Sequence, residues 1–291
     1  MTLVSCSVEE RHVNPLFEVF DGGDLILSSW RDVEEPRAEM RIFCPAAEDA
    51  ERAAEALRAA GKILGLELQT EERSVPDEDW KLSYRKHFKT LEISPRLAVR
   101  PPWEDFKAAA GQKVITLDPG MAFGTGQHST TRACLEYVDE LAAEGTDRTF
   151  LDVGCGSGIL AIAASLLGFR EAEGFDIDPD AVRIAEENAS ANGADVRFAS
   201  GDLSGLAAMP AAGGGRRFDV VVANVLGPVL ERYADEVASL VAPGGELVLS
   251  GILDEIYPEV AAAYKARGFR EASSRLVGEW RTGRFRLVEG V

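Results

Sequence analysis

Cysteine is scarce and unpatterned in this chain: Cys6, Cys44, Cys134 and Cys155 lie far apart and make no C-x-x-C pair. That spacing excludes a zinc knuckle and a disulfide framework and fits a reducing compartment. No metal centre is expected. Positive charge is also short, 31 Lys and Arg against 49 Asp and Glu for a net −18. Residues 1–100 carry 14 basic and 20 acidic side chains, and residues 101–291 carry 17 and 29, so both halves are acidic. A general nucleic-acid binder, which must track phosphates, would reverse this balance. Long apolar runs are missing. The longest, near residues 159–169, is too short to span a bilayer, and the N-terminus has neither a basic start nor an apolar stretch of signal-peptide type. A soluble, cytoplasmic protein without membrane contact is expected.

What is present is ordinary globular material, 46% apolar and 27% charged over 291 residues, enough for one large domain or two ordinary ones. Apolar and β-branched alternation marks strands near 3–8, 24–30 and 39–44, with one or two helical turns at 14–20. An Ala-, Glu- and Arg-rich helix follows over 46–60, stopped by Gly61, and a short strand at 66–70 closes the unit. The order β-α-β-β-α-β is that of a ferredoxin-like α+β domain, assigned to residues 1–72.

Residues 73–110 read as a linker helix and strand. Trp80, Tyr84, His87 and Phe88 fall on one helical face, and Lys81, Arg85 and Lys89 on a second. Residues 80–100 hold six basic side chains and one acidic, a local excess in an acidic chain. The aromatics are read as packing residues. For the basic stripe a solvated face and a contact surface stay open. Three prolines, Pro95, Pro101 and Pro102, bracket a short strand at 97–100. Over 111–291 strands and helices alternate, which implies a parallel sheet covered on both sides, a doubly wound, Rossmann-like α/β domain. Strands are expected at 149–153, 173–176, 196–199, 218–223 and 245–250, helices at 159–167, 180–192, 229–241 and 261–267, and two terminal antiparallel strands at 273–279 and 283–288.

Chemistry concentrates where strands end. Asp152-Val153-Gly154-Cys155-Gly156-Ser157-Gly158 turns the first strand of this domain into its helix. Glycines there let a ligand approach the backbone, and the helix start offers N–H groups. A dinucleotide pyrophosphate wants G-x-G-x-x-G, but the third glycine comes one residue early, at Gly158. No phosphate-binding G-x-x-x-x-G-K-[ST] occurs. Asp176 closes the next strand, 22 residues beyond Gly154, where a carboxylate accepts both ribose hydroxyls of an adenosine cofactor. Asp178-Pro179 reads as a helix start. Asp202 follows the third strand, as an adenine contact or a turn carboxylate. Before the domain's first strand, residues 118–131 form a glycine-dense loop ending in hydroxyls at a helix N-terminus, and Asn224 ends the fourth strand beside the switch point.

The runs at 118–131 and 152–158, Asp176-Ile177-Asp178-Pro179, Ala223-Asn224-Val225-Leu226 and Leu249-Ser250-Gly251-Ile252-Leu253 together resemble the PrmA family of ribosomal-protein methyltransferases. The resemblance covers nearly all of residues 75–285 and extends to residues 1–70 by topology. It implies S-adenosylmethionine as cofactor and methyl transfer to lysines and the N-terminal amine of ribosomal protein L11, free or on the large subunit. It carries cofactor contacts onto Thr131, Gly154, Gly156, Asp176 and Asn224. Two departures stand out. This chain has Gln127-His128-Ser129-Thr130-Thr131 where the family commonly has T-H-P-T-T, and Asn224-Val225-Leu226-Gly227-Pro228-Val229-Leu230 where it commonly has N-I-L-A-x-P-L. The second borders the acceptor pocket.

An activated methyl asks for a positioned neutral amine rather than covalent catalysis. Asn224 is the expected acceptor-side, catalytic contact. His128 is a candidate base or a structural loop residue, and water suffices to take the proton. The ferredoxin-like domain at 1–72 is expected to serve substrate recognition, since a small substrate would not need a separate platform, and Lys81, Arg85 and Lys89 to contact the acceptor protein or ribosomal RNA. Three alternatives stay open: a different protein acceptor, a small-molecule acceptor, and a non-catalytic cofactor-binding interaction protein.

Overall fold

A computed structural model describes residues 2–9, 12–13, 16, 20, 27–31, 37–44, 47–74, 88–118, 128–208 and 215–288. Its contacts divide the chain into two units, Met1–His87 and Phe88–Val291.

In the first unit β1 (Thr2–Glu9), β2 (Leu27–Arg31), β3 (Arg37–Cys44) and β4 (Glu71–Ser74) form an antiparallel sheet of order β2-β3-β1-β4. Every second residue of β1 and β3, among them Val4, Cys6, Val8, Met40 and Ile42, is buried. They meet Ala53, Ala54 and Leu57 of α1 (Ala47–Ile63) in one core. Val13, Leu16 and Phe20 are helical, and Leu16 is buried in the same core. This is the ferredoxin-like arrangement. Two local expectations shift. The helix passes through Gly61 and ends before Gly65, whose φ of +70° makes the turn, with Leu66 N–H donating to Gly61 O at 2.8 Å. The last strand begins at Glu71, because residues 66–70 leave the sheet: Leu68 sits against Gly61, where a Cβ would lie 2.7 Å from Leu68 Cγ.

The second unit starts with a three-stranded sheet. β5 (Leu91–Ser94) runs antiparallel to β6 (Leu97–Arg100), and β6 parallel to β7 (Lys113–Thr116). Leu97, Val99 and Ile115 are buried in one cluster with Tyr137 and Leu141, so the segment expected as linker up to residue 110 packs within this unit from Phe88 onward. The aromatic and basic helix faces at 80–87 lie outside the described residues. Of the basic stripe, Lys89 pairs with Glu104 at 2.8 Å.

A seven-stranded sheet then carries the chain: α2 (Ser129–Glu144), β8 (Thr149–Val153), α3 (Ile159–Leu167), β9 (Glu171–Asp176), α4 (Pro179–Ala191), β10 (Arg197–Ser200), a 3-10 turn (Leu203–Ala208), β11 (Phe218–Asn224), α5 (Gly227–Arg232), α6 (Ala234–Ser239), β12 (Val241–Leu253), α7 (Tyr257–Lys265), β13 (Phe269–Val277) and β14 (Trp280–Leu287). The order is β10-β9-β8-β11-β12-β14-β13, parallel except β14, which is antiparallel to both neighbours. Buried strands of this kind alternate between two cores. Phe150, Val220 and Val222 point to the layer of α2 and α3, while Leu151, Val153, Val221 and Ala223 point to that of α5, α6 and α7. The single helix expected at 229–241 is two short ones that break at Tyr233, where φ −105° and ψ 30° leave the helical region. Among the described residues no helix is long and apolar enough to cross a membrane, and no three side chains group as metal ligands.

Candidate active site

The strand order reverses between β8 and β11, and the carboxyl ends of strands at such a point frame a crevice. Here it is a cavity of about 750 Å³. Gly154, Gly156, Asp176 and Asn224 all line it, as do Asp202 and His128. Thr131 does not. It is buried at the start of α2, one layer behind, and accepts a 3.3 Å hydrogen bond from Asn224 Nδ2. The rest of the loop before it, residues 119–127, lies outside the described residues.

Backbone geometry explains the glycines. Gly154 has φ +69°, and a Cβ there would lie 2.6 Å from Val225 Cγ1. Gly158, at φ +77°, starts α3, and a Cβ would meet Phe198 at 2.8 Å and Ala185 at 2.9 Å. The loop is thus wedged between β11 and the α4/β10 layer. Asp176 fastens it: Oδ2 accepts Gly156 N–H at 2.8 Å and Oδ1 accepts Asp178 N–H at 3.0 Å. A carboxylate offers about four lone-pair sites, so Asp176 keeps capacity for hydroxyl donors. Asp178 caps α4 by accepting Asp180 N–H at 2.9 Å. Both oxygens of Asp202 are held by Ser204, at 2.7 Å from its N–H and 2.5 Å from its Oγ, which lowers the Asp202 pKa. Asp202 is therefore a turn carboxylate that also faces the cavity.

His128 is the N-cap of α2. Its Nδ1 accepts Thr130 N–H at 3.4 Å and lies 2.7 Å from Thr130 Oγ1. An amide N–H only donates, so Nδ1 is unprotonated, and the neutral ring carries its proton on Nε2. Burial pushes the His128 pKa down against the pull of Glu279. With Nδ1 engaged at the helix start, the nitrogen left to face a ligand is the protonated Nε2, a donor, which favours the structural reading of His128 over the base. Its ring stacks edge-on to Trp280 with centroids 5.5 Å apart.

Sequence reasoning missed the cavity's apolar walls. Trp280 opens the last strand, 152 residues from His128, and no local pattern links them. Tyr233 reaches the cavity because the helix breaks at that residue. Ile177 and Leu226, 73% and 63% exposed, also line it, and their places next to Asp176 and two residues beyond Asn224 were the available signal. Large apolar side chains left this open beside a cavity mark a ligand surface.

Asp152 is the other missed residue. It is 1% exposed, and neither carboxylate oxygen has a hydrogen-bond partner among the described residues. Burial pushes its pKa to about 7; the Ala161 N–H, beyond bonding geometry, pulls down and the charge of Asp176 pushes up. The charged residues lining the cavity are Asp176 and Asp202, with no Lys or Arg among the described ones. Such a site favours a cationic ligand over a pyrophosphate.

Residues 19–286 match the family described as ribosomal protein L11 methyltransferase (PrmA). The chain is 47% identical over 206 residues to the ribosomal protein L11 methyltransferase of Geobacter sulfurreducens, a match covering 71% of this chain and 65% of that protein. The Streptococcus pneumoniae protein of the same name is 37% identical over 227 residues, covering 77% and 69%. Thus the chain spans about two thirds of the length of these curated relatives. A crystal structure of ribosomal protein L11 methylase from Lactobacillus delbrueckii subsp. bulgaricus superposes with a TM-score of 0.60 at 31% identity, over 70% of this chain and 100% of that one. With the family matched across both units and the strand ends built as above, this chain belongs to the ribosomal protein L11 methyltransferase (PrmA) family.

Proposed function

We propose that the protein transfers methyl groups from S-adenosylmethionine to protein amines, lysine side chains and the N-terminal amine, and that its acceptor is ribosomal protein L11, free or within the large subunit. The observation that carries this reading is the convergence of Gly154, Asp176 and Asn224 on one cavity whose charged lining, among the described residues, is carboxylate. The residues fit the cofactor. The Gly154 cradle has no room for a Cβ, Asp176 retains lone pairs for two ribose hydroxyls, and Ile177 and Leu226 offer apolar faces to a purine. When bound, the cofactor supplies a methyl activated on a sulfonium. Gly156 and Asp202 complete its surroundings, and Thr131 holds Asn224.

Asn224 orients the acceptor. Its Nδ2 donates to Thr131 Oγ1, which turns Oδ1 toward the cavity to accept one N–H of an incoming amine and aim its lone pair. A lysine with an ordinary pKa of ~10.4 must first lose a proton, and a nearby cation together with desolvation lowers that value. With His128 Nδ1 engaged at the helix cap, solvent takes the proton. Four buried, reduced cysteines accord with a cytosolic location.

The test is incubation with methyl-labelled cofactor and purified L11, read by mass spectrometry. Label on L11 amines is expected, and Asn224→Ala should lower kcat about a hundredfold, because positioning supplies much of the rate. Labelling of another protein with L11 left bare would overturn the acceptor; full activity of Asn224→Ala would overturn the role of Asn224.

A further inference from the structure

One run of the second unit, Leu249-Ser250-Gly251-Ile252-Leu253, has no part in the chemistry above, although Ser250 pairs with Asn224 across the β11/β12 ladder and Gly251 lines the cavity. The ladder between β12 and β14 is irregular here. Leu249 pairs with Gly283 and Ile252 with Arg281, so two residues of β12, Ser250 and Gly251, stand against one of β14, Thr282. A bulge of this kind re-aims a side chain. Gly251 permits it with a φ of +80°, where a Cβ would collide with Val225 O.

The side chain so aimed belongs to Ser250. Its Oγ lies 2.7 Å from Thr282 Oγ1 and 3.4 Å from Thr130 O, and Ser250, Thr282 and Thr130 are all buried. A carbonyl only accepts, so Ser250 gives its one proton to Thr130 O, and Thr282 gives its own to Ser250. The Cys134 thiol beside Ser250 is a weak partner by comparison. The result is a directed chain from β14 through β12 to the first turn of α2. Links of such a chain strengthen one another, and removing one leaves a buried polar group unpaired.

That first turn carries the groups that face the acceptor. Thr130 Oγ1 meets His128 Nδ1, and Thr131 Oγ1 receives Asn224 Nδ2. β14 grips the same turn a second time, two residues earlier and on the same strand face, through Trp280 against the His128 ring. We propose that Ser250 and Thr282 are positioning residues for methyl transfer. Their hydroxyl chain fixes the start of α2 and, through Thr131, the angle at which Asn224 presents Oδ1 to the acceptor amine. Neither residue lines the cavity. Their assignment rests on the proposed role of Asn224 in amine transfer and extends it to two side chains that act through another.

The experiment is steady-state methylation of L11 by the full chain, with cofactor affinity by calorimetry and urea unfolding measured alongside. Thr282→Val keeps the shape and removes the donor; Ser250→Ala removes the middle of the chain. We expect kcat to fall about tenfold for Ser250→Ala and about threefold for Thr282→Val, with cofactor Kd within about twofold of wild type, because misplacing an orienting group lowers rate rather than cofactor binding. Thr282→Ser should restore wild-type kcat. In an Asn224→Ala background neither substitution should lower kcat further, since the chain acts through Asn224. Unchanged kcat, a loss matched by an equal loss of cofactor affinity, or full additivity with Asn224→Ala would overturn the inference, and Thr282→Val decides it should Ser250→Ala not fold. A silent Thr282→Val beside an impaired Asn224→Ala overturns the positioning chain alone. Full activity of Asn224→Ala overturns the role of Asn224 and the chain with it.

Discussion

Replacing Asp152 by Asn should change the pH dependence of stability by a calculable amount. Burial raises the Asp152 pKa from 3.8 to about 7 in the folded chain. Above pH 4 the unfolded chain has released this proton while the folded chain still holds it, so stability falls as pH rises between about 4 and 7. Roughly three pKa units at ~1.4 kcal/mol each give a loss of about 4 kcal/mol on reaching pH 7, constant beyond. Between pH 5 and pH 8 the wild type should lose about 3 kcal/mol that Asp152→Asn keeps. The new amide leaves a buried donor unpaired at a cost of about 1–3 kcal/mol, but that cost is independent of pH and cancels in the slope. Other carboxylates are common to both proteins. Urea unfolding of the cofactor-free protein at pH 5, 6, 7 and 8 measures it, followed by a probe within the second unit because two units need not unfold together. Parallel pH profiles for the two proteins would refute the account, and Asp152 would then have to be ionised and stabilised by a group other than those described.

Asp176→Ala removes the acceptor for Gly156 and Asp178 N–H along with the ribose contacts; at ~1.5–3 kcal/mol per charged hydrogen bond, cofactor affinity by calorimetry should fall at least a hundredfold. Gly158→Ala combines a positive φ with contacts of 2.8 and 2.9 Å and should cost about 2–4 kcal/mol in urea unfolding, whereas Gly65→Ala, at φ +70° with nothing within 4 Å, should cost only about 1 kcal/mol. His128→Asn keeps a side-chain acceptor at the N-cap and should leave the acid limb of the kcat/KM profile in place; movement of that limb would restore histidine as the base.

Residues that act through their own backbone or at a strand's end were legible. The span 149–153, the helix 159–167 and Asp176 follow from glycine spacing, apolar runs and the geometric step of about twenty residues between adjacent parallel strands, and the structure has them in place. Residues that matter because of what packs beside them were not. Trp280 reaches His128 only after β14 has been inserted antiparallel between β12 and β13, and no window of sequence contains both. Tyr233 faces the cavity through a helix break inside a run whose apolar period reads as continuous. Residues 66–70 alternate as a strand should, yet the site for Leu68 is supplied by Gly61, which local reading takes as a helix stop.

The same distinction explains Asp152. Within the motif its carboxylate reads as one more polar residue ahead of the glycines; its consequence depends on α3 covering it and on Asp176 arriving from the adjacent strand. Both follow from the parallel order β9-β8-β11, since β8 is central and buried on both faces. An acidic residue at the last-but-one position of such a strand has no route to water unless the loop above it opens. A ligand that inserts a cationic group near the loop therefore changes the cost of ionising Asp152, and cofactor binding should release a fraction of a proton near pH 7. Calorimetry in buffers of different ionisation enthalpy would show it as a buffer-dependent heat, absent in Asp152→Asn.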